Sequence, residues 1–145
     1  MNYIEQIQKG VKSVQSGLDD LVDVAMHENE AQIRNWITER WLTGKTPTGD
    51  LIGMYRFEDY AELKNVMNSY AGFGNVDLTL TGALGRGIKI SPFGEDYEVF
   101  STDWKYEKIV DKYGEINFNI SEPEREILFS KITLIILTEL NKAYE

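Results

Sequence analysis

The first 25 residues carry the clearest hydrophobic periodicity in the chain. Apolar residues recur there at alternating spacings of three and four, the a/d pattern of a heptad repeat, at Ile4, Ile7, Val11, Val14, Leu18, Leu21 and Ala25. Such a stripe stays on one side of a helix only when the helix packs along a partner. We therefore predict a long N-terminal helix whose stripe forms an oligomer interface through Ile7, Val11, Val14, Leu18 and Leu21.

Two features modify this helix. Gly10 and Gly17 lie seven residues apart beside the stripe, and each costs about 1 kcal/mol of helix stability relative to alanine. They indicate either a neighbour that approaches the backbone closely or a bend. The apolar pattern resumes after Ala25 at a shifted phase, which predicts a break between His27 and Glu30.

The middle of the chain changes from helical to strand periodicity. TGKTPTGDLIG (43–53) contains three glycines and a proline and predicts a turn-rich loop. A short helix is predicted over 56–67, with one apolar face formed by Phe57, Tyr60, Leu63 and Met67. Alternating apolar residues then predict strands around 76–80, 88–90 and 99–101, with SPFGEDY (91–97) as a hairpin loop.

The helices predicted in the C-terminal third begin and end at recognisable capping residues. Asp103 can cap a helix that runs through Lys112 and stops at Gly114. Ser121 and Glu124 form a capping box, which predicts a last helix from about Glu122 to Ala143. Its centre, ITLIIL, is apolar on nearly every side and therefore predicts a buried helix.

These elements together predict an α+β fold with a long N-terminal helix, a small antiparallel sheet with short helices, and a long C-terminal helix. The length of 145 residues predicts one domain. Within it we distinguish a helical arm (1–42), a loop and small sheet region (43–120) and the C-terminal helix (121–145).

Composition narrows the class of protein. An apolar content of 42% argues for a packed core, and the net charge of −9 disfavours broad contact with nucleic-acid phosphates. The chain has no cysteine, which excludes disulfides and thiolate metal sites. The N-terminus lacks the apolar run of a signal peptide, and no apolar stretch is long enough to span a bilayer. We expect a soluble protein with no membrane partner.

The glycine cluster TGALGRG (81–87) is the most conspicuous candidate motif. A phosphate-binding P-loop needs Lys and then Ser or Thr after its last glycine, and here Ile88 follows. A dinucleotide fingerprint needs a long helix after its glycines, whereas this segment returns to a strand. We interpret the cluster as a structural bend in which Thr81 caps a short turn and Leu84 is buried. The glycines Gly82, Gly85 and Gly87 would allow close packing or positive φ.

Candidate catalytic groups are sparse. Asp20, Asp23 and His27 share one side of a helix and could bind a metal, although a solvated acidic face is the plainer interpretation. No residue pattern predicts a cofactor or a small-molecule substrate.

Three segments in order resemble small virion proteins encoded by tailed phages and prophages of gut Bacteroidetes. They are ERWLTGKTPTGDLIGMYRFEDYAELK, VDLTLTGALGRGIKI and STDWKYEKIVDKYG, and the resemblance covers residues 37–120. More distantly, Thr81, Gly82 and Leu84 resemble the TG-x-L signature of head-tail joining and tail-completion proteins of siphophages. The chain departs from the pattern at Gly85 and Gly87, where bulkier or hydroxyl residues are usual.

The resemblance implies a non-enzymatic virion protein, a subunit of a homo-oligomeric ring in the neck or tail, assembled in the bacterial host cytoplasm. Its partners would be further copies of itself and other phage neck, portal or tail proteins. DNA would pass through the ring without specific binding, which suits the negative charge. We also expect a partner-binding loop at Lys45, Thr46, Pro47 and Asp50. The alternatives are a small metal-using enzyme and a coiled-coil-type dimeric adaptor.

Overall fold

The computed structural model describes residues 2–79, 82–93 and 96–143. Within these residues the elements follow in this order: α1 (Tyr3–Glu28), α2 (Glu30–Leu42), α3 (Glu58–Met67), α4 (Ala83–Arg86), β1 (Ile88–Phe93), β2 (Asp96–Ser101), α5 (Tyr106–Tyr113), a 3-10 turn (Glu115–Phe118) and α6 (Glu122–Ala143). β1 and β2 pair antiparallel, with Ile88 opposite Ser101 and Phe93 opposite Asp96. The predicted α+β fold, with a long helix at each end, is confirmed.

The chain divides into two compact units. The terminal-helix unit contains the described residues up to Asn29 and from Glu126 onward, and the central unit contains residues 30–125. These boundaries fall inside the predicted helical arm and inside the predicted C-terminal helix. No helix among the described residues is both long and apolar enough to cross a membrane.

Local capping signals set the bounds of the long helices. At the start of α1 the Asn2 side chain accepts a hydrogen bond from the Glu5 amide at 2.8 Å, and the Glu5 carboxylate accepts one from the Asn2 amide at 2.9 Å. The predicted break is confirmed, because α1 ends at Glu28 and the amide group of Asn29 closes it on the Ala25 carbonyl oxygen at 2.8 Å. The predicted Ser121–Glu124 capping box is present at the start of α6.

α2 forms the centre of the core in the central unit. Ile33, Ile37 and Trp41 are buried along one side of it. The Trp41 ring meets Phe118 edge to face at a centroid distance of 5.2 Å, and its indole nitrogen donates to the Asn117 carbonyl oxygen at 2.9 Å. These contacts hold the 3-10 turn against α2. The loops around α2 form the surface of the central unit.

The prediction of a buried C-terminal helix is wrong. Within the described part of α6, Leu128 alone is buried, while Ile127, Phe129, Leu134 and Leu137 are exposed. The periodicity of ITLIIL correctly indicates a helix without one polar side, but an all-apolar helix needs surfaces around it. The described residues of this chain do not cover it.

Three further predictions need correction. Residues 76–79 form no strand, because after a single bridge between Met54 and Asn75 the backbone turns at Asp77, whose carboxylate accepts the Thr79 amide at 3.1 Å. The predicted apolar face of α3 is exposed, at Phe57, Tyr60, Leu63 and Met67. Its buried residues are Ala61 and Lys64, which face the centre of the unit. The third helix of the sheet region begins at Tyr106 instead of at Asp103.

Candidate functional site

The glycine cluster forms a bend between the loop at 76–79 and β1. Gly82 stands at the N-cap of α4 with φ +74°, a left-handed conformation that glycine adopts without strain. Leu84 is buried, as predicted. Thr81, the predicted cap, lies outside the described residues.

Close approach explains the two glycines that follow. A Cβ on Gly85 would lie 2.6 Å from Cγ2 of Thr38, so a larger residue there would displace the Thr38 side chain or move α4 away from α2. A Cβ on Gly87 would lie 2.7 Å from the hydroxyl of Ser101 at the end of β2. The tight contacts that we predicted at Gly85 or Gly87 are therefore present, although neither residue has a positive φ.

An apolar pocket of about 580 Å³ opens on the central unit beside this bend. Its wall is built by the segment 54–57, by α3, by residues 76–78, by α4 and by one side of α5. Tyr55 and Tyr60 meet edge to face at 5.0 Å on one side, and Leu84 and Ile109 line another. A pocket of this size with mostly apolar walls is typical of a binding site.

The floor of the pocket holds a buried ion pair. The Lys64 ammonium lies 2.5 Å from Oδ1 of Asp77, and the two side chains are only 4% and 1% exposed. Asp77 also accepts hydrogen bonds from the Asn68 amide group at 3.0 Å and from the Thr79 hydroxyl at 2.8 Å. The Tyr55 hydroxyl donates to the Asp77 carbonyl oxygen at 3.2 Å. Both carboxylate oxygens are therefore satisfied, as a buried charge requires.

Burial and hydrogen bonding shift the pKa of Asp77, at the floor of the pocket, in opposite directions. Burial alone would raise the pKa of Asp77, but the hydrogen bonds from Lys64, Asn68 and Thr79 outweigh it and hold that pKa below its usual range. Burial raises the pKa of the Tyr55 hydroxyl, which stays neutral over the physiological range. A satisfied ion pair beside a neutral tyrosine suits binding better than nucleophilic or acid–base chemistry.

Cations surround the mouth of the pocket, and each lies over an aromatic ring. Lys105 and Lys108 lie 5.8 and 5.1 Å from the centroid of the exposed Trp104 ring, and Lys112 lies 5.2 Å from that of Tyr113. Arg56 similarly lies over Phe57 at 5.8 Å. Asp77 is the one carboxylate among the described lining residues, and Lys64 neutralises it. Lys105 also pairs with Asp103 at 3.6 Å, so Lys108, Lys112 and Arg56 supply the positive charge of the mouth in a chain whose net charge is −9.

The predicted oligomer interface lies on α1. Ile7, Val11, Val14 and Leu18 are exposed, with Val14 at 66%, and the stripe becomes half-buried only at Leu21. Within the described part of the chain, a Cβ added to Gly10 or Gly17 would meet no atom within 4 Å. If a neighbour approaches the backbone at these glycines, it belongs to another molecule.

The predicted partner-binding loop folds back on itself. Lys45 bridges to Leu51, the Thr46 amide donates to the Asp50 carbonyl oxygen at 2.8 Å, and the Thr48 hydroxyl donates to the Asp50 carboxylate at 2.9 Å. Pro47 is half-buried at its tip. The loop therefore has a defined conformation within the subunit, and its role in binding a partner stays a prediction.

The predicted metal-ligand candidates are only partly brought together. Nδ1 of His27 lies 2.8 Å from the Asp23 carbonyl oxygen and 3.8 Å from its carboxylate, while Asp20 is exposed one turn away. No group of three or more histidine, aspartate or glutamate side chains in residues 2–79, 82–93 and 96–143 is arranged to hold a metal ion.

Sequence reasoning missed the pocket and its floor. Lys64 and Asp77 are thirteen residues apart in the sequence. Lys64 lies in the predicted helix 56–67, beside its apolar face, and Asp77 lies in the segment that was predicted to be a strand. Comparisons of the chain with protein-family models, curated proteins and solved structures found no match.

Proposed function

We propose that this chain is a non-enzymatic structural subunit of a homo-oligomer, and that the assembly is a ring at the head-tail connection or tail of a tailed phage. The observation that carries the proposal is the exposed heptad stripe of α1. A 26-residue helix with one apolar side exposed to water is marginal by itself and gains its stability from a partner.

Burial of the stripe on α1 contributes favourable free energy to association. Five stripe residues are at least one-third exposed, namely Ile4, Ile7, Val11, Val14 and Leu18. Burying each of them contributes roughly 1 kcal/mol, about half of what a fully exposed aliphatic side chain contributes. The stripe thus supplies on the order of 5 kcal/mol per subunit before the costs of association.

α6 adds a second apolar surface of the same kind. Phe129 and Leu134 are 72% and 66% exposed, and Ile127 and Leu137 are about half exposed. Exposed apolar surfaces of this extent mark sites of protein–protein contact. Two long helices with such surfaces give one subunit enough area for more than one neighbour, which a ring requires.

The finer assignment to a phage neck or tail rests on the resemblance over residues 37–120. The net charge of −9 supports it, because DNA can move through an acidic channel without binding to the wall. The exposed stripe by itself also suits the dimeric adaptor. The number of copies in the assembly distinguishes this adaptor from a ring subunit.

The mass of the full chain in solution tests the proposal. We expect native mass spectrometry and light scattering to give a closed oligomer larger than a dimer, and negative-stain images to show rings. A dimer would favour the adaptor, and a monomer at all concentrations would overturn the proposal.

Substitutions on α1 test the role of the stripe. Val14→Asp with Leu18→Asp should abolish assembly, because two carboxylates would be buried in an apolar interface. Ser13→Asp with Ser16→Asp adds the same charge on the opposite side of α1 and should leave the mass unchanged. All three tryptophans lie in the central unit, so an unchanged tryptophan-monitored unfolding curve shows that this unit still folds. A shift of this unfolding curve would indicate that the stripe residues belong to the core of the folded chain.

A further inference from the structure

The pocket of the central unit combines apolar walls, a positive mouth and exposed aromatic residues at its edge. Met54 and Phe57, which line it, are 70% and 69% exposed. Lys105, Lys108 and Lys112 stand on one side of the mouth, on and just before α5. An occupant that suits these features has an apolar or aromatic group with carboxylates beside it.

The tip of the β1–β2 hairpin has this chemistry. Phe93 pairs with Asp96, and Ser91 pairs with Glu98. Because directly paired residues and residues two apart share a face, Phe93, Asp96 and Glu98 project from the same side of the hairpin. Phe93 is 71% exposed, and both carboxylates are exposed. The segment 91–98 contains three acidic residues and no cationic residue.

The tip does not occupy the pocket of its own chain, because Phe93, Asp96 and Glu98 are not among the described residues that line it. The base of the hairpin is tied to the pocket wall, where the Ser101 hydroxyl donates to the Leu84 carbonyl oxygen at 2.6 Å. From Ile88 to Phe93 the strand advances by roughly 17 Å, at about 3.4 Å per residue. Phe93 lies that far along the strand from the base of the hairpin and is 71% exposed, so the tip is available to the pocket of another molecule.

We propose that the pocket receives the hairpin tip of a second copy of this chain, with Phe93 in the apolar cavity and Asp96 and Glu98 beside the cations of the mouth. The proposal rests on the homo-oligomer proposed above and names a contact within it. The tip and the pocket are different surfaces of one subunit, so the contact is either exchanged reciprocally within a dimer or head-to-tail. Repeated head-to-tail contacts close into a ring or continue as a filament.

Cross-linking between two tagged populations tests the contact directly. The chain has no cysteine of its own, so each disulfide reports an engineered pair. One population carries Asp96→Cys and the other Lys108→Cys, and they are mixed and mildly oxidised. We expect a disulfide between the two tags. The control replaces Lys108→Cys by Glu39→Cys, which is exposed on α2 outside the pocket, and should give none.

Charge exchange gives a second readout. Asp96→Lys with Glu98→Lys makes the tip positive, and Lys108→Glu with Lys112→Glu makes the mouth less positive. Each variant alone should assemble at least tenfold more weakly, as measured by the concentration at which half of the chain is oligomeric. A one-to-one mixture of the two should recover assembly, because the exchanged lysines of one tip then lie beside the exchanged glutamates of the other mouth, while the native tip lies beside the native mouth. Tryptophan fluorescence of each variant checks that the central unit is folded.

The outcomes separate this contact from the proposed function. If the wild-type chain forms its oligomer but neither the cross-link nor the recovery on mixing is seen, the tip does not fill the pocket, and the oligomer stands. Binding of a separate acidic peptide or small anion that leaves the oligomer intact would likewise overturn the contact. If the wild-type chain does not oligomerise, both proposals fall.

Discussion

Removing the cation of the buried Lys64–Asp77 pair should destabilise the central unit strongly. In Lys64→Met the side chain keeps its approximate length and apolar stem but leaves the Asp77 carboxylate without its counter-ion. Loss of one partner of a buried ion pair costs about 3–5 kcal/mol, because the other charge stays uncompensated in a low-dielectric site. Asp77 keeps its hydrogen bonds from Asn68 and Thr79, so we expect the lower end, about 3 kcal/mol.

The double substitution Lys64→Met with Asp77→Leu should cost less than the single one. It removes both charges and fills the floor with apolar groups, a replacement that is often close to neutral. The Asn68 amide group keeps a partner in the Leu42 carbonyl oxygen at 2.8 Å. We therefore expect the second substitution to recover at least about 1 kcal/mol, the size of coupling seen between residues in direct contact.

Urea unfolding followed by tryptophan fluorescence measures these free energies. Trp36, Trp41 and Trp104 all belong to the central unit, so the signal reports this unit and not the terminal helices. Lys89→Met is the matched control, since Lys89 is 49% exposed and lies 3.7 Å from Glu30. An exposed pair of this kind contributes about 0–1 kcal/mol.

Two results would refute the reasoning. A loss below about 1 kcal/mol in Lys64→Met would mean that the pair is hydrated like a surface pair. A double variant less stable than the single one would mean that the floor depends on Asp77 for its hydrogen bonds and not for its charge.

Three further predictions follow from the same contacts. Because the pKa of Asp77 is lowered in the folded chain, the stability it contributes is present above its unfolded pKa and is lost as pH falls through the folded one. Wild-type stability relative to the Lys64→Met, Asp77→Leu variant should therefore be constant from about pH 5 to 8 and decline below about pH 4 in urea titrations. Gly85→Val should cost about 1–3 kcal/mol by forcing α4 off α2. Arg86→Ala, at an exposed side chain, should cost less than Gly85→Val, and the reverse ranking in thermal melts would contradict the structural bend. Trypsin should cut the loop 44–53 faster in the isolated subunit than in the assembled particle, and equal rates would count against a binding role for this loop.

Local signals in the sequence determined where most elements begin and end. The capping box at Ser121 and Glu124 and the glycine at 114 act through hydrogen bonds and φ angles within a few residues, so they can be read without the fold. The hairpin and the heptad stripe of α1 are similarly visible as periods of two and of three and four residues. The predicted hairpin loop 91–97 is wrong in its bounds, because residues 91–93 and 96–97 pair within the strands. The exposure of that stripe agrees with its predicted use as an interface, which solution mass will test.

Only the tertiary structure decided which apolar residues are buried and where the pocket lies. The composition of α6 could not show that one subunit leaves it exposed, because burial depends on neighbours distant in the chain. The segment 76–79 matches a strand in its alternation, but burial of Asp77 against Lys64 turns the backbone away from pairing. The cations of the mouth come from residues 56 and 105–112, which are scattered in sequence and meet only because the bend at the glycine cluster brings α4 and α5 beside α3. Electrostatic and packing contacts join residues that are distant in the sequence. They can therefore be identified only once the fold is known.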